Sequence, residues 1–170
     1  MGKYLRHVPR IKHLRGTWLH RTLGERFFDP HLWRWERQGT ALGLAIGAFF
    51  SALPMPMQSL PAAFFAFIFR ANIPASFVGC WITNPFTFPL FFYLQLKAGS
   101  FLLGRPSLMK QFYEHSFMEL LKAAPGVLFL GGAVVGTGLA LTTYFLTTFG
   151  YGVALRAMQR SRMRQPPDVR

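Results

Sequence analysis

The chain has 170 residues, enough for one domain, and 51% of them are hydrophobic, including 19 phenylalanines. Only 15% are charged, well below the roughly 25% of an average soluble domain, which disfavours an ordinary soluble fold. The net charge of +13 would favour nucleic-acid binding in a soluble protein, but the basic residues flank an apolar middle. We therefore predict an all-α integral membrane protein with re-entrant or broken helices and amphipathic surface helices, and no nucleic-acid partner.

The two ends of the chain are predicted to lie on the cytoplasmic side of the membrane. Residues 1–28 form a basic lead with apolar side chains at helical spacing, and residues 156–170 form a basic tail. The lead fits an amphipathic helix on the membrane surface, and a partly disordered basic arm fits equally well. Because Lys and Arg are enriched in cytoplasmic segments, we place both termini in the cytoplasm, near anionic lipid headgroups.

Residues 29–155 are predicted to form a single membrane domain that opens with a hairpin. Asp29 and Pro30 are typical of a helix start. Two apolar runs within 39–70 are joined by Pro54-Met55-Pro56-Met57-Gln58, which cannot continue a helix. Since each run is shorter than the about 20 residues of a full span, we predict a re-entrant hairpin over 39–70. Two thin, tilted spans are the alternative.

The second half of the membrane domain is predicted to cross the membrane twice. Residues 72–97 make the first crossing, with a break between Asn84 and Pro89. In residues 107–122 the apolar side chains share one face of a helix and the polar side chains share the other, which predicts an external amphipathic helix. Residues 125–155 have no charged side chain and make the second crossing.

Two ridges of small residues are predicted to pack helices together. Small residues at every fourth position let two helix backbones approach closely. The second ridge could dock against the first, and a homodimer is plausible. The ridges contain Gly39, Gly43 and Gly47 in the first and Gly132 and Gly136 in the second.

Four short runs resemble one bacterial membrane family. They are Gly43-Leu44-Ala45-Ile46-Gly47, Pro54-Met55-Pro56-Met57-Gln58, Arg70-Ala71-Asn72-Ile73-Pro74 and Trp81-Ile82-Thr83-Asn84-Pro85-Phe86-Thr87. Together they are similar to DUF2062, a family catalogued as a domain of unknown function, over roughly residues 20–155. The resemblance implies a small bacterial inner-membrane protein, fused in some members to glycosyltransferase-like domains. It implies no established activity.

Arg70 is the one charged residue between Gln38 and Leu96. An Arg in hydrocarbon costs about 2.5–3.5 kcal/mol at a helix centre, so it usually faces a cavity or an anion. Ending a helix at the interface is the alternative role for Arg70. Asn84 and its neighbours either satisfy backbone groups freed by Pro85 or direct half-helix ends at a ligand. The predicted ligand-binding residues are Gln58, Ser59, Arg70, Asn72, Asn84 and Thr87.

These residues favour a protein that binds or translocates an anionic lipid headgroup, such as polyprenyl phosphate, or a small anion. The alternative is a non-transporting scaffold or partner of cell-envelope synthesis enzymes. An enzyme is disfavoured because no Asp or Glu lies between Glu36 and Glu114. The histidine spacings fit no zinc site, and Cys80 has no ligand partner nearby, so neither a metal nor a cofactor is expected.

Overall fold

The computed structural model describes residues 29–105 and 116–163. Within these ranges the chain is all-α, with no strand, which confirms the all-α part of the predicted class. The basic lead (1–28), part of the predicted amphipathic segment (107–115) and the end of the tail (164–170) lie outside the described residues. The helices are α1 (Arg37–Ser51), α2 (Ser59–Ile68), α3 (Ile73–Cys80), α4 (Phe88–Leu102), α5 (Phe117–Ala123) and α6 (Pro125–Met163), preceded by a 3-10 turn (Pro30–Leu32).

Proline and asparagine set the helix boundaries in the apolar region. Pro54 and Pro56 lie in the turn between α1 and α2, and Pro85 lies in the loop before α4. The other prolines of this region occupy first helical turns, where a missing N–H costs nothing. As predicted from the sequence, Asp29 is an N-cap, but the element that it caps is only the 3-10 turn. The first α-helix begins eight residues further on, at Arg37.

Helices α1 and α3 run parallel and approach so closely that only glycine fits between them. A Cβ atom at Gly43 would overlap the carbonyl oxygen of Asn72, and one at Gly47 would lie 2.8 Å from the Cα of Gly79. Further along, the Thr83 hydroxyl donates to Ser51 Oγ at 3.3 Å. Gly39 stands further from α3, with the nearest heavy atom, the Asn72 nitrogen, 3.8 Å from a Cβ built there.

The long helix α6 runs antiparallel to both α1 and α4 and packs more extensively with these two than with α5. A Cβ at Gly132 would lie 2.6 Å from the Ala52 oxygen, and one at Gly136 would lie 2.7 Å from the Phe49 oxygen. The second glycine ridge therefore contacts α1 on a different face from Gly43 and Gly47. This corrects the expectation that the two ridges dock against each other.

Only α6 contains a segment long and apolar enough to cross a membrane, among the helices that the structure describes. That segment is Pro125–Ala154, with 30 residues. By comparison, α1 has 15 residues and α2 has 10, or about 22 Å and 15 Å at 1.5 Å per residue. The predicted crossing 72–97 is divided into α3, a seven-residue loop and α4. The loop, residues 81–87, overlaps the predicted break between Asn84 and Pro89, although Pro89 lies in the first turn of α4.

Candidate functional site

Arg70 lies immediately after α2 in a left-handed backbone conformation, with φ of 54°. Its N–H donates to the Phe67 oxygen at 3.2 Å, and the next N–H, of Ala71, donates to the Ala66 oxygen at 2.8 Å. This pair of bonds is the Schellman motif, in which glycine usually occupies the left-handed position. A side chain there costs roughly 1–2 kcal/mol, so the backbone at this position favours glycine over Arg70.

The Arg70 side chain forms an ion pair with Asp29, 41 residues earlier in the chain. Nη2 lies 2.9 Å from Oδ2, and the side chains are 76% and 21% exposed. The other carboxylate oxygen accepts the His31 N–H at 3.0 Å. This backbone hydrogen bond, followed by the one from Arg70, lowers the pKa of Asp29 below its ordinary value. Asp29 is therefore ionised at neutral pH and fixes one edge of the guanidinium.

Asn72 is fully buried, and its side chain is used for structure. Its Oδ1 accepts the Ala75 N–H at 2.8 Å, which caps α3. Its Nδ2 donates to the Arg34 oxygen at 2.8 Å, and its backbone N–H donates to the Gly39 oxygen at 2.9 Å. Asn72 thus ties the start of α3 to the segment that leads into α1, directly behind Arg70.

Arg70 borders two polar cavities. One, of about 440 Å³, includes Asp29 and the end of α2. The other, of about 660 Å³, includes His31, Glu36, Gln38 and Tyr144, and we call it the Arg70 pocket. The negative charge of Glu36 in this pocket is balanced by Arg34, which lies 3.1 Å from the carboxylate. His31 lies 3.6 Å from the same carboxylate.

An apolar groove of about 540 Å³ continues from the Arg70 pocket between α1, α2 and α6. Leu42, Phe69 and Tyr144 line both the groove and the pocket. The rest of the groove is almost entirely aliphatic and aromatic, with Phe49, Phe65 and Ala140 among its walls. The combined space is therefore polar at one end and apolar along its length.

The other predicted site residues lie at the opposite end of α1. Gln58 and Asn84 line a third cavity, of about 530 Å³, which we call the proline-turn pocket because Pro54, Pro56 and Pro85 border it. Asn84 Oδ1 accepts the N–H groups of Phe86 and Thr87, at 2.9 and 3.1 Å. Thr87 Oγ1 in turn donates to the Ile82 oxygen at 2.9 Å. Asn84 and Thr87 thus satisfy the backbone around Pro85, which is the structural role considered from the sequence.

The single polar cluster expected from the sequence is divided between the two ends of α1. Asn72 is bonded to Gly39, near the start of α1, whereas Thr83, beside Asn84, is bonded to Ser51 at its end. Twelve residues of helix separate these contacts, about 18 Å at 1.5 Å per residue. Arg70 and Asn72 therefore do not meet Gln58, Asn84 or Thr87. Ser59 begins α2 but is not part of the proline-turn pocket wall.

Three residues of these cavities were missed from the sequence. Asp29 was interpreted only as a helix cap, although it is the last acid but one before the apolar stretch. Tyr144 and Gln95 gave no signal because their importance depends on which helices meet. Among the described residues no group of three or more His, Cys, Asp or Glu side chains is placed to hold a metal ion.

A protein-family comparison matches residues 20–163 to the family described as uncharacterised protein conserved in bacteria (DUF2062). The match covers most of the chain, so the protein belongs to this family, as the sequence motifs predicted. Searches of curated proteins and of solved structures found no match.

Proposed function

We propose that this protein is an integral protein of the bacterial inner membrane that binds an anionic lipid headgroup in the Arg70 pocket. Polyprenyl phosphate is one example of the class, and a small anion shares the same charge chemistry. In this proposal the acyl or prenyl chain occupies the apolar groove, and both termini of the protein are cytoplasmic. The protein acts by binding or translocating the lipid and not as an enzyme.

Membrane residence is supported by α6 and by the surface of the fold. Pro125–Ala154 is long and apolar enough to span a bilayer. Large apolar side chains project from α6 and from the loops, among them Phe149, which is 72% exposed, and Phe86, which is 95% exposed. Water would be a poor solvent for so many exposed aromatic rings, and lipid chains would cover them.

The continuity of the groove with the Arg70 pocket carries the lipid proposal. An amphiphile needs an apolar channel that opens beside polar groups, and Leu42, Phe69 and Tyr144 join those two environments here. A free anion would need only the pocket. The groove therefore favours a lipid over a small anion.

The charges around Arg70 leave it able to bind an anion. A guanidinium has five N–H donors and suits the oxygen geometry of phosphate. The Asp29 contact engages Nη2, and Asp29 belongs to the smaller cavity and not to the Arg70 pocket. Asp29 thus orients the guanidinium from one side, while Arg70 also borders the pocket on the other.

The scaffold alternative gains no support from the glycines on which it depended. Gly43 and Gly47 are covered by α3, and Gly132 and Gly136 are covered by α1. They therefore offer no open face to envelope-synthesis enzymes or to a second copy. A partner protein would have to use a different surface.

The proposal is tested with protein reconstituted in phosphatidylcholine nanodiscs that contain a minor fraction of phosphatidylglycerol or of polyprenyl phosphate. Native mass spectrometry reports which lipid remains bound. We expect Arg70→Gln to weaken retention of the anionic lipids about tenfold or more, because a hydrogen bond to a charged group contributes about 1.5–3 kcal/mol. Arg37→Gln is the matched control, since Arg37 carries the same charge at the same end of α1 but is not part of the pocket wall.

Unchanged retention by Arg70→Gln would refute the proposed site. Equal losses in Arg70→Gln and Arg37→Gln would also refute it, because they would indicate only general attraction between basic residues and anionic lipid. Inorganic phosphate added as a competitor distinguishes the two ligand sources. It should displace the lipid poorly if the groove contributes to binding.

A further inference from the structure

The proline-turn pocket lies where the ends of four helices meet. Helices α1 and α3 end there, and α2 and α4 begin there, with the two proline-containing connections between them. Its volume of about 530 Å³ is in the range of small-molecule sites, about 300–1,000 Å³. The Arg70 pocket, at the other end of α1, is separate from it.

Gln95 is the unusual residue of this pocket. It is 4% exposed, in the middle of α4, and it lines the cavity. No hydrogen bond joins its side-chain amide to any other residue that the structure describes. The fully buried side-chain atoms without a partner among the described residues are Thr40 Oγ1 and Ser100 Oγ and not the Gln95 amide, which therefore reaches the cavity. A ligand in the cavity would supply the missing partner.

The polar groups around Gln95 are uncharged. Gln58, Thr83 and Asn84 share the cavity wall, and no Asp, Glu, Lys, Arg or His is among the described residues of that wall. The helix ends also balance, because two helix N-termini carry partial positive charge and two C-termini carry partial negative charge. Neither an anion nor a cation is favoured over the other. A neutral group that both donates and accepts hydrogen bonds fits this environment.

The apolar wall and the position along α6 define the rest of the ligand. Phe88, Phe117 and Met118 form part of the wall. Ala52, next to the first proline turn, packs on Gly132, seven residues or about 10 Å along α6 from Pro125. The pocket thus lies at the level of the apolar segment of α6, about two turns from its start, which favours a lipid-soluble ligand.

We propose that the proline-turn pocket is a second binding site, for the uncharged, hydroxyl-bearing headgroup of a neutral lipid. The Gln95 amide binds a ligand hydroxyl, Gln58 and Asn84 border the same headgroup, and Phe88 and Phe117 contact its apolar part. The glycerol hydroxyl of a diacylglycerol and the sugar of a neutral glycolipid share this chemistry. This site is independent of the anionic-lipid site at Arg70.

The test uses the full chain in phosphatidylcholine nanodiscs doped with dioleoylglycerol in one arm and monoglucosyl dioleoylglycerol in the other. Purification avoids sugar-based detergents, which would compete. Native mass spectrometry should show selective retention of at least one of the two lipids over phosphatidylcholine. We expect Gln95→Met, which conserves volume, to weaken that retention about tenfold, the equivalent of one hydrogen bond of about 1.4 kcal/mol.

Ser100→Ala is the matched control. Ser100 is also on α4, is 1% exposed and has a hydroxyl without a partner among the described residues, but it does not line the pocket. It should leave lipid retention unchanged. Gln95→Met should melt at about the same temperature as the wild type, because it conserves volume and removes no hydrogen bond to another described residue. A loss of binding without a loss of stability separates a ligand contact from a folding defect.

Each pattern of lipid retention has one interpretation. Retention of the diacylglycerol alone identifies glycerol chemistry, retention of the glucolipid alone identifies a sugar, and retention of both identifies the shared hydroxyl. Retention of neither lipid, or equal retention by Gln95→Met and wild type, overturns the proposal. Arg70→Gln should not change retention in either arm, so failure here is distinguishable from failure of the Arg70 site.

Discussion

The polar side chains of the two candidate sites, at opposite ends of α1, differ in how they are hydrogen-bonded. At the Arg70 end, Asp29, Arg70 and Asn72 have partners within the protein, with hydrogen bonds of 2.8–2.9 Å. At the proline-turn end, Asn84 and Thr87 are satisfied, whereas the Gln95 side chain, which lines the cavity, makes no hydrogen bond to another described residue. The proposed ligand at Arg70 would add to a prearranged, exposed cation. A ligand beside Gln95 would supply a hydrogen-bond partner for the Gln95 amide.

Charge and burial therefore single out different polar residues in this apolar protein. Arg70 attracts attention as a lone charge, yet it is 76% exposed and already paired. Gln95 attracts none in the sequence, yet it is 4% exposed, lines a cavity and makes no side-chain hydrogen bond to another described residue. Arg70 is the charged residue at one end of α1, and Gln95 is the residue at the other end whose side chain has no hydrogen bond to another described residue.

The largest effect is expected from Gly47→Leu, which should weaken lipid binding at both ends of α1. Gly47→Leu places a side chain against the Ser76 oxygen and 2.9 Å from the Cys80 nitrogen, so α1 and α3 must separate. Overpacking of this kind costs about 1–3 kcal/mol or more. We expect a lower melting temperature in detergent and weaker lipid binding at both ends. Gly138→Ala, in open space on α6, is the control and should not destabilise the protein.

A smaller effect should be confined to the Arg70 end. Ala140→Trp fills the apolar groove, so it should displace the lipid chain and weaken phosphatidylglycerol retention about tenfold, or 1.4 kcal/mol. Neutral-lipid retention in the proline-turn pocket should not change. Val134→Trp, at a 47% exposed position outside the groove, serves as the matched control. Equal loss in both variants would contradict the assignment of the groove.

Each end of α1 has a nearby non-glycine residue with positive φ, and substitution of that residue by glycine measures what the conformation costs. Met57 and Arg70 are the non-glycine residues with positive φ among the described ranges, both at 54°. Met57→Gly relieves a left-handed side chain, so we expect stability to rise by up to about 1 kcal/mol. Arg70→Gly gains the same relief but loses the Asp29 pair, and the net change should be smaller. Thermal unfolding at neutral pH compares the two variants, and a larger gain for Arg70→Gly would contradict the role of the ion pair.

The smallest expected effect is a pH dependence at the Arg70 end. Because the pKa of Asp29 is lowered in the folded state, its ionised form stabilises the fold above its ordinary pKa of about 4. That contribution is lost as pH falls through the lowered value. An exposed pair contributes only about 0–1 kcal/mol, so the melting temperature should fall slightly more below pH 4 in wild type than in Asp29→Asn. Identical pH profiles would show that the pair is energetically silent.

Local features of this fold were predictable, and the relation between helices was not. The prolines located the turn after α1 and the loop before α4, because proline cannot continue a helix whatever surrounds it. The register of α1 on α3 depends on Gly43 and Gly47 meeting Asn72 and Ser76, a contact between distant residues. That register separates Arg70 from Asn84. It also brings Asp29 to Arg70, although the residues around Asp29 indicate only a local helix cap.

The glycine contacts of α1 also impose an order on biosynthesis. One face of α1 is covered by α3 and another by α6, and α6 begins roughly 70 residues after α1 ends, which takes about 4–15 s at 5–20 residues per second. During that interval α6 does not yet cover the surface of α1 around Phe49 and Ala52. The α6-facing surface of α1 is therefore covered only after residues 132–136 have been synthesised.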